Sequence, residues 1–264
     1  MSYFALIGGS LKHSFSSAYF RQKFIDEGLD HEYGNIELDQ IGSLPDILKL
    51  PDLGGLNVTI PYKLAVIPYL AGLTPLAEKV GAVNTIFKHE GQWYGHNTDY
   101  VGFGQSMMSN YDPARPSLLD GSQPALVLGN GGAAKAVKQV LTDIGLEYHL
   151  AVRSFSEAET AKQVLYLDLE GTLSQYGLII NTTPVGTWPN VEDVLPIPLE
   201  ELGPQHHIVD LIYNPVETRL MREGLNHGAT AMNGKGMLVG QAEAAWDVWM
   251  DKVDVWIDQS NMLA

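Results

Sequence analysis

The chain has 264 residues, enough for one large domain or two modest ones, and its 45% hydrophobic and 18% charged residues are those of an ordinary globular protein. A formal net charge of -15 disfavours nonspecific attraction to nucleic acid or anionic lipid, although local cations and backbone amides still decide whether an anionic ligand binds. The absence of cysteine excludes disulfides, thiol catalysis and thiolate-ligated zinc.

No apolar run approaches a membrane span, and residues 1–9 lack a basic leader, so a cytoplasmic protein is expected. Its expected partner is a small-molecule substrate, with no nucleic acid, membrane or metal, in a monomer or homodimer.

Residues 3–7 predict a short buried strand, broken by Gly8 and Gly9. The loop from Ser10 to Ser17 is rich in hydroxyls and opens a helix whose Phe20 and Phe24 lie four apart on the inner face, with Gly28 at its end. Ser16 or Ser17 is placed to cap that helix, whereas Ser14 comes early for a cap. Ser14 and Ser16, two residues apart beyond a strand, can also donate hydrogen bonds to a ligand carboxylate. His13 reads as structural.

Residues 33–38 predict a second strand and 44–50 a short helix. Leu56, Val58 and Ile60 then alternate with Asn57 and Thr59, the period of a half-buried strand, and Pro61 ends the ladder because it has no N–H. Lys63 follows at the start of a helix-like run over 63–70. An ammonium at such a junction, with Asn57 and Thr59 beside it, has the ingredients of a site. Residues 81–87 and 92–96 flank Glu90-Gly91, a hairpin signal. Thr98 or Asp99 would cap a helix over 101–110, while Asn84 and Asn97 suit turns.

Residues 111–124 have the Pro, Ser, Asp and Gly content of a linker and mark a boundary. Beyond it an apolar strand, 125–128, feeds Gly129-Asn130-Gly131-Gly132-Ala133-Ala134 and an amphipathic helix over 133–144. This G-x-G-x-x-A, with a strand before and a helix after, points to dinucleotide binding: glycines let the backbone approach a pyrophosphate and the helix N-terminus offers it N–H groups. The next strand, 148–152, ends in Arg153-Ser154, where an NAD site would place a carboxylate for the ribose 2′-OH. A guanidinium and a hydroxyl there favour the 2′-phosphate of NADP. Strands over 178–181, 208–211 and 229–232 and a helix over 218–225 continue the β/α alternation. In and after a last helix over 237–249, Trp246, Trp249 and Trp256 read as core anchors.

Several blocks together resemble the shikimate dehydrogenase family: Lys12-His13-Ser14-Phe15-Ser16, Asn57-Val58-Thr59-Ile60-Pro61-Tyr62-Lys63, Gly81-Ala82-Val83-Asn84-Thr85 and Asn97-Thr98-Asp99. Downstream, Gly129 to Ala134, Asn181-Thr182-Thr183-Pro184, Tyr213-Asn214-Pro215 and Gly236-Met237-Leu238-Val239-Gly240-Gln241-Ala242 agree as well. The resemblance implies an α/β protein of two domains with substrate in the cleft between them. Residues 1–101, with 237–264 packing back, would form a substrate domain, and 102–236 a doubly wound Rossmann domain for NADP. The implied reaction is the reversible NADP-dependent reduction of 3-dehydroshikimate to shikimate, a step of aromatic amino acid biosynthesis. Ser14 and Ser16 would hold the substrate carboxylate, with Tyr213 near that end. Thr59, Asn84, Asp99 and Gln241 would meet its ring hydroxyls, and Lys63 with Asp99 would form the catalytic pair. Gly129, Asn130, Gly131, Gly132, Ala133, Arg153, Ser154, Thr182 and Gly236 would meet the cofactor.

Four positions depart from the family pattern: Ser17 stands for Pro, Tyr100 for Gly, and, in a cofactor block that normally reads Asn-Arg-Thr, Val152 for Asn and Ser154 for Thr. Quinate as substrate, with relaxed use of NAD, is the alternative within the fold, and a noncatalytic binding protein the alternative outside enzymes. A pure binder has no need of Lys63 and Asp99 together.

Overall fold

The computed structural model describes residues 1–11, 14–109, 121–156 and 162–257. Lys12, His13, Asp258 and most of the segment read as a linker lie outside the described residues. Two compact units emerge, one of Met1–Gly102 with the described residues 239–257, the other Phe103–Leu238.

The first unit opens with strand β1 (Ser2–Gly8), helix α1 (Phe15–Asp26), β2 (His31–Glu37) and a short α2 (Leu44–Ile47). It continues through β3 (Leu53–Val58), β4 (Gly72–Leu73), α3 (Pro75–Val80), the hairpin β5 (Thr85–His89) and β6 (Gln92–His96), and the start of α4 (Thr98–Ser109). The sheet has the order β2-β1-β3-β5-β6-β4; β1 runs parallel to β2 and β3, and β5 antiparallel to β3 and β6. Ala5, Ile7, Leu56, Val58, Val83 and Ile86 form its core on one side, and Phe4, Phe20, Phe24 and Trp246 pack together on another. Each such side chain withdrawn from water contributes about 1.5–3 kcal/mol.

Three local expectations change. Strand β3 is buried on both faces, Asn57 included, and stops at Val58, leaving Ile60 68% exposed beyond it. Neighbours β1 and β5 satisfy only its edges. One face lies in the apolar core with Leu56 and Val58 and the other puts Asn57 against Tyr33, so the polar position of the alternation is buried as well. No α-helix covers 63–70: the chain makes turns and a single 3₁₀ turn over Ile67–Tyr69, because Pro68 has no N–H for a longer ladder. Trp246 is a core residue, but Trp256 is 39% exposed and belongs to a surface cluster with Phe87, His89 and Tyr94.

The second unit carries β7 (Ala125–Leu128), α5 (Gly132–Asp143), β8 (Tyr148–Val152), β9 (Lys162–Leu165), β10 (Leu178–Asn181), β11 (His207–Asp210), α6 (Arg219–Asn226) and β12 (Thr230–Asn233). Helix α7 (Lys235–Trp249) begins here and continues into the first unit. The six strands are all parallel in the order β12-β11-β10-β7-β8-β9. Counted from β7, this is the doubly wound order of a dinucleotide-binding sheet, whose direction of winding reverses between β7 and β10. Leu126, Leu128, Ile179 and Ile208 fill its core. The near-continuous apolar runs of β7 and β10 are what burial on both faces demands. Strand β9, four half-exposed or exposed residues at the sheet edge, lacks that signal.

Candidate functional site

In the first unit three chain segments converge on Lys63 and Asp99. The backbone N–H of Thr59 donates to Ile7 and that of Tyr62 to Thr59, which holds the turn beyond β3 against β1. The carbonyl of Lys63 accepts from Val83 N–H, so the lysine is tied to the segment that carries Asn84. Asn84 in turn is fixed to the start of α4: its Oδ1 accepts from Thr98 N–H at 2.7 Å, and its Nδ2 donates to Thr98 Oγ1 at 3.0 Å.

The helix start is set by Asn97, whose Oδ1 accepts from Tyr100 N–H at 3.1 Å. Neither Thr98 nor Asp99 is the cap; both lie in the first turn of α4. Asn97 takes the capping work, so the Asp99 carboxylate turns to Lys63, with Nζ to Oδ2 at 2.5 Å. The two side chains are 14% and 7% exposed, an ion pair largely withdrawn from water. Breaking such a pair by removing one partner is costly because the other charge stays buried.

Gln241, on α7, accepts from Asn84 Nδ2 at 3.4 Å, and so joins the same group. Ser14 caps α1: its Oγ accepts from Ser17 N–H at 3.4 Å. Ser16 and Ser17 are therefore inside the helix, a reversal of the expected cap. Because Ser14 Oγ accepts, its own proton remains for a further acceptor. Ser16 is buried and hydrogen-bonds the Tyr33 phenol. Burial raises that phenol well above the ordinary tyrosine value, with the Ser16 hydroxyl pulling the other way. The Tyr33 hydroxyl donates to Asn57 Oδ1 at 2.7 Å, and Asn57 Nδ2 donates to the Asn84 carbonyl at 3.4 Å. A continuous polar thread thus runs from Ser16 to Asn84 inside one unit. Tyr33 escaped the sequence reading, although a tyrosine on a strand beside an apolar helix face needs a partner for its hydroxyl.

The second unit brings the glycine turn to the end of β7. Gly129 has φ +91°, and a Cβ there would stand 2.5 Å from the Thr183 methyl, so the turn accepts only glycine. Gly131 is the N-cap of α5 and gives that helix start no side-chain cap, and a Cβ on it would meet nothing within 4 Å. Uncapped amides behind open space suit a pyrophosphate, which Gly132 and Ala133 would meet at the first turn. Asn130 Oδ1 accepts from Lys138 Nζ at 2.8 Å.

Thr182, past β10, donates through both its N–H and its hydroxyl to the Leu128 carbonyl, at 3.1 and 2.7 Å. Arg153 and Ser154 are exposed just past β8. Beside them lies Tyr166, following β9, which no sequence signal marked. Burial lifts its phenol to about 12, while the Arg153 guanidinium and a hydrogen bond from Gly129 pull it back. Tyr213 is half-buried past β11, its phenol also raised by burial. Gly236 lies in the first turn of α7, after Gly234 has donated to the Ile212 carbonyl at 3.0 Å. Among the described residues no group of three or more His, Asp or Glu is placed to hold a metal ion. No helix among them is long and apolar enough to cross a membrane.

Comparison with known proteins gives these arrangements a family. The family model of the shikimate dehydrogenase substrate binding domain matches residues 6–86. A shikimate dehydrogenase (NADP(+)) of Clostridium beijerinckii is 37% identical over 257 residues, covering 95% of this chain and 93% of that one. Shikimate dehydrogenase 1 of Peptoclostridium difficile superposes with a TM-score of 0.81 at 34% identity, covering 100% of this chain and 98% of that one. Shikimate 5-dehydrogenase of Thermus thermophilus, in complex with NADP(H) and shikimate, gives a TM-score of 0.83 at 29% identity and covers 100% of both chains. With relatives of this identity along almost its whole length, the chain belongs to the shikimate dehydrogenase family.

Proposed function

We propose that this chain catalyses the reversible reduction of 3-dehydroshikimate to shikimate with NADP, and that Lys63 and Asp99 are its catalytic pair. The observation that carries the reading is the buried contact between these two side chains, reached from segments 36 positions apart. Interconverting a ketone and an alcohol moves a hydride at carbon and a proton at oxygen. The nicotinamide, when bound, supplies or accepts the hydride. Lys63 gives the proton to the carbonyl oxygen and takes it back in the reverse direction. Asp99 aims the ammonium and accepts a hydrogen bond from a ring hydroxyl.

The first unit is the substrate-binding one in this reading. Ser14 holds the carboxylate, joined by Ser16 when its proton turns from Tyr33 to the ligand, with Tyr213 at that end of the substrate, and Thr59, Asn84 and Gln241 meet the ring hydroxyls. The second unit binds NADP: Gly129, Asn130, Gly131, Gly132 and Ala133 meet the pyrophosphate, and Arg153 with Ser154 the 2′-phosphate. Thr182 and Gly236 also meet the cofactor. The uncapped amides at Gly131 and the exposed guanidinium past β8 support this assignment.

Formation of the reduced dinucleotide, NADPH from NADP or NADH from NAD, is followed with shikimate and with quinate in parallel. Shikimate with NADP is expected to give the largest kcat/KM of the four. A larger value for quinate would transfer the assignment to the quinate branch of the fold, and no turnover with any pair would leave a binding protein.

A further inference from the structure

Asp210, the last residue of β11, is a carboxylate with no exposed surface at all in the second unit. Its Oδ1 accepts from Asn181 Nδ2 at 3.1 Å and from Ile212 N–H at 3.0 Å, and its Oδ2 accepts from the Thr218 hydroxyl at 2.7 Å. Burial raises this carboxyl above the ordinary range, with the three donors opposing the rise. An acidic side chain in that position is costly to the fold unless its partners are needed where it puts them.

The partners lead to the ligand-facing loops. Asn181 Oδ1 accepts from both N–H and Oγ1 of Thr183, at 3.0 and 2.8 Å, and Thr183 Oγ1 accepts from Val185 N–H at 3.2 Å. The Thr183 methyl is the group that closes one side of the Gly129 turn. Through Ile212, the same carboxylate fixes the residue before Tyr213. Through Thr218, whose Oγ1 also accepts from Met221 N–H at 3.3 Å, it fixes the start of α6. One buried charge therefore ties the ends of β7, β10 and β11, on both sides of the point where the sheet reverses.

We propose that Asp210 is a positioning residue for the dinucleotide: it holds the Asn181–Thr183 loop against the glycine turn and sets the Ile212–Tyr213 loop beside it. This rests on the reading of the second unit as the NADP-binding one. Asp210→Asn keeps the shape and an acceptor for Ile212 and Asn181 but loses the charge and turns the Thr218 contact from acceptor to donor; Asp210→Ala removes every acceptor.

The test is a fluorescence titration of NADPH onto the full chain without substrate, together with thermal unfolding. Leu173→Ala, a core truncation in the same unit, serves as a control for lost stability. The Leu173 backbone is bonded to Glu201 and His206, before the start of β11 and so at the strand end opposite Asp210. The expected result is a Kd weakened about 5- to 20-fold in Asp210→Asn and further in Asp210→Ala, at a temperature where both are folded, with Leu173→Ala binding as the parent does. Parental affinity in folded Asp210→Asn and Asp210→Ala would overturn the proposal, as would an equal weakening in Leu173→Ala. Should Asp210→Ala fail to fold, Asp210→Asn alone decides. If the parent chain does not bind NADPH, it is the reading of the unit that fails, a result distinct from either.

Discussion

At the residue scale, Ser14 does two things that can be separated. As the cap of α1 it accepts from Ser17 N–H, and as a proposed carboxylate contact it donates. An aspartate caps a helix about as well as a serine, while its charge repels a substrate carboxylate. Ser14→Asp is therefore expected to keep the thermal midpoint of the parent and to raise KM for shikimate about tenfold or more. An unchanged KM would remove Ser14 from the substrate site. Arg153 offers a parallel case at the cofactor. Arg153→Ala is expected to lower the ratio of NADPH to NADH affinity about tenfold or more, because the proposed contact is to the 2′-phosphate, a group NADH does not carry. An unchanged ratio in paired titrations would assign the 2′-phosphate to another group. What the sequence showed of these residues was their type and order. Which serine capped, or that Asn97 would relieve Asp99 of capping, depended on where helices α1 and α4 begin, and a boundary shift of one to three residues decides it.

At the scale of elements, the doubly wound half was legible because its strands announce themselves. Residues 125–128 and 178–180 are unbroken apolar runs, the second ending at Asn181, and a strand buried on both faces has no other signature. The mixed sheet of the first unit was harder to read. Strand β4, two residues long, carries no periodicity, and α3 was passed over although Thr74 caps it through Ala77 N–H at 3.3 Å and Pro75 opens it. That same Thr74 hydroxyl meets Nδ1 of His96, at the end of β6, at 2.8 Å.

His96 is 1% exposed, and burial lowers its imidazole from the ordinary 6.5 to about 4. The unfolded chain therefore binds a proton between these values that the folded chain refuses. Stability from this group is complete above about pH 6.5 and declines as pH falls through 4, by roughly 3 kcal/mol in all. Denaturant unfolding across that window should show the parent losing this much more stability than His96→Gln. Parallel pH profiles for the two proteins would mean that His96 is not held neutral by burial.

At the scale of the whole molecule, a chain of net charge -15 is proposed to bind two anions, a carboxylate and a phosphorylated dinucleotide. Long-range attraction cannot provide this, so the affinity has to come from local devices: the open helix start at Gly131, the Arg153 guanidinium and the serine hydroxyls of α1. Each belongs to one unit and can be tested there, which is why the predictions above separate cofactor affinity from substrate KM.

The claim that joins the units into an enzyme is proton transfer by Lys63. The most direct measurement is the steady-state kinetics of Lys63→Ala with shikimate and NADP, compared with the parent. The account predicts a kcat lower by about 10²- to 10⁴-fold with a smaller change in KM, as befits a group needed in the transition state more than in binding. Turnover within a few-fold of the parent would contradict it and give the proton to another group.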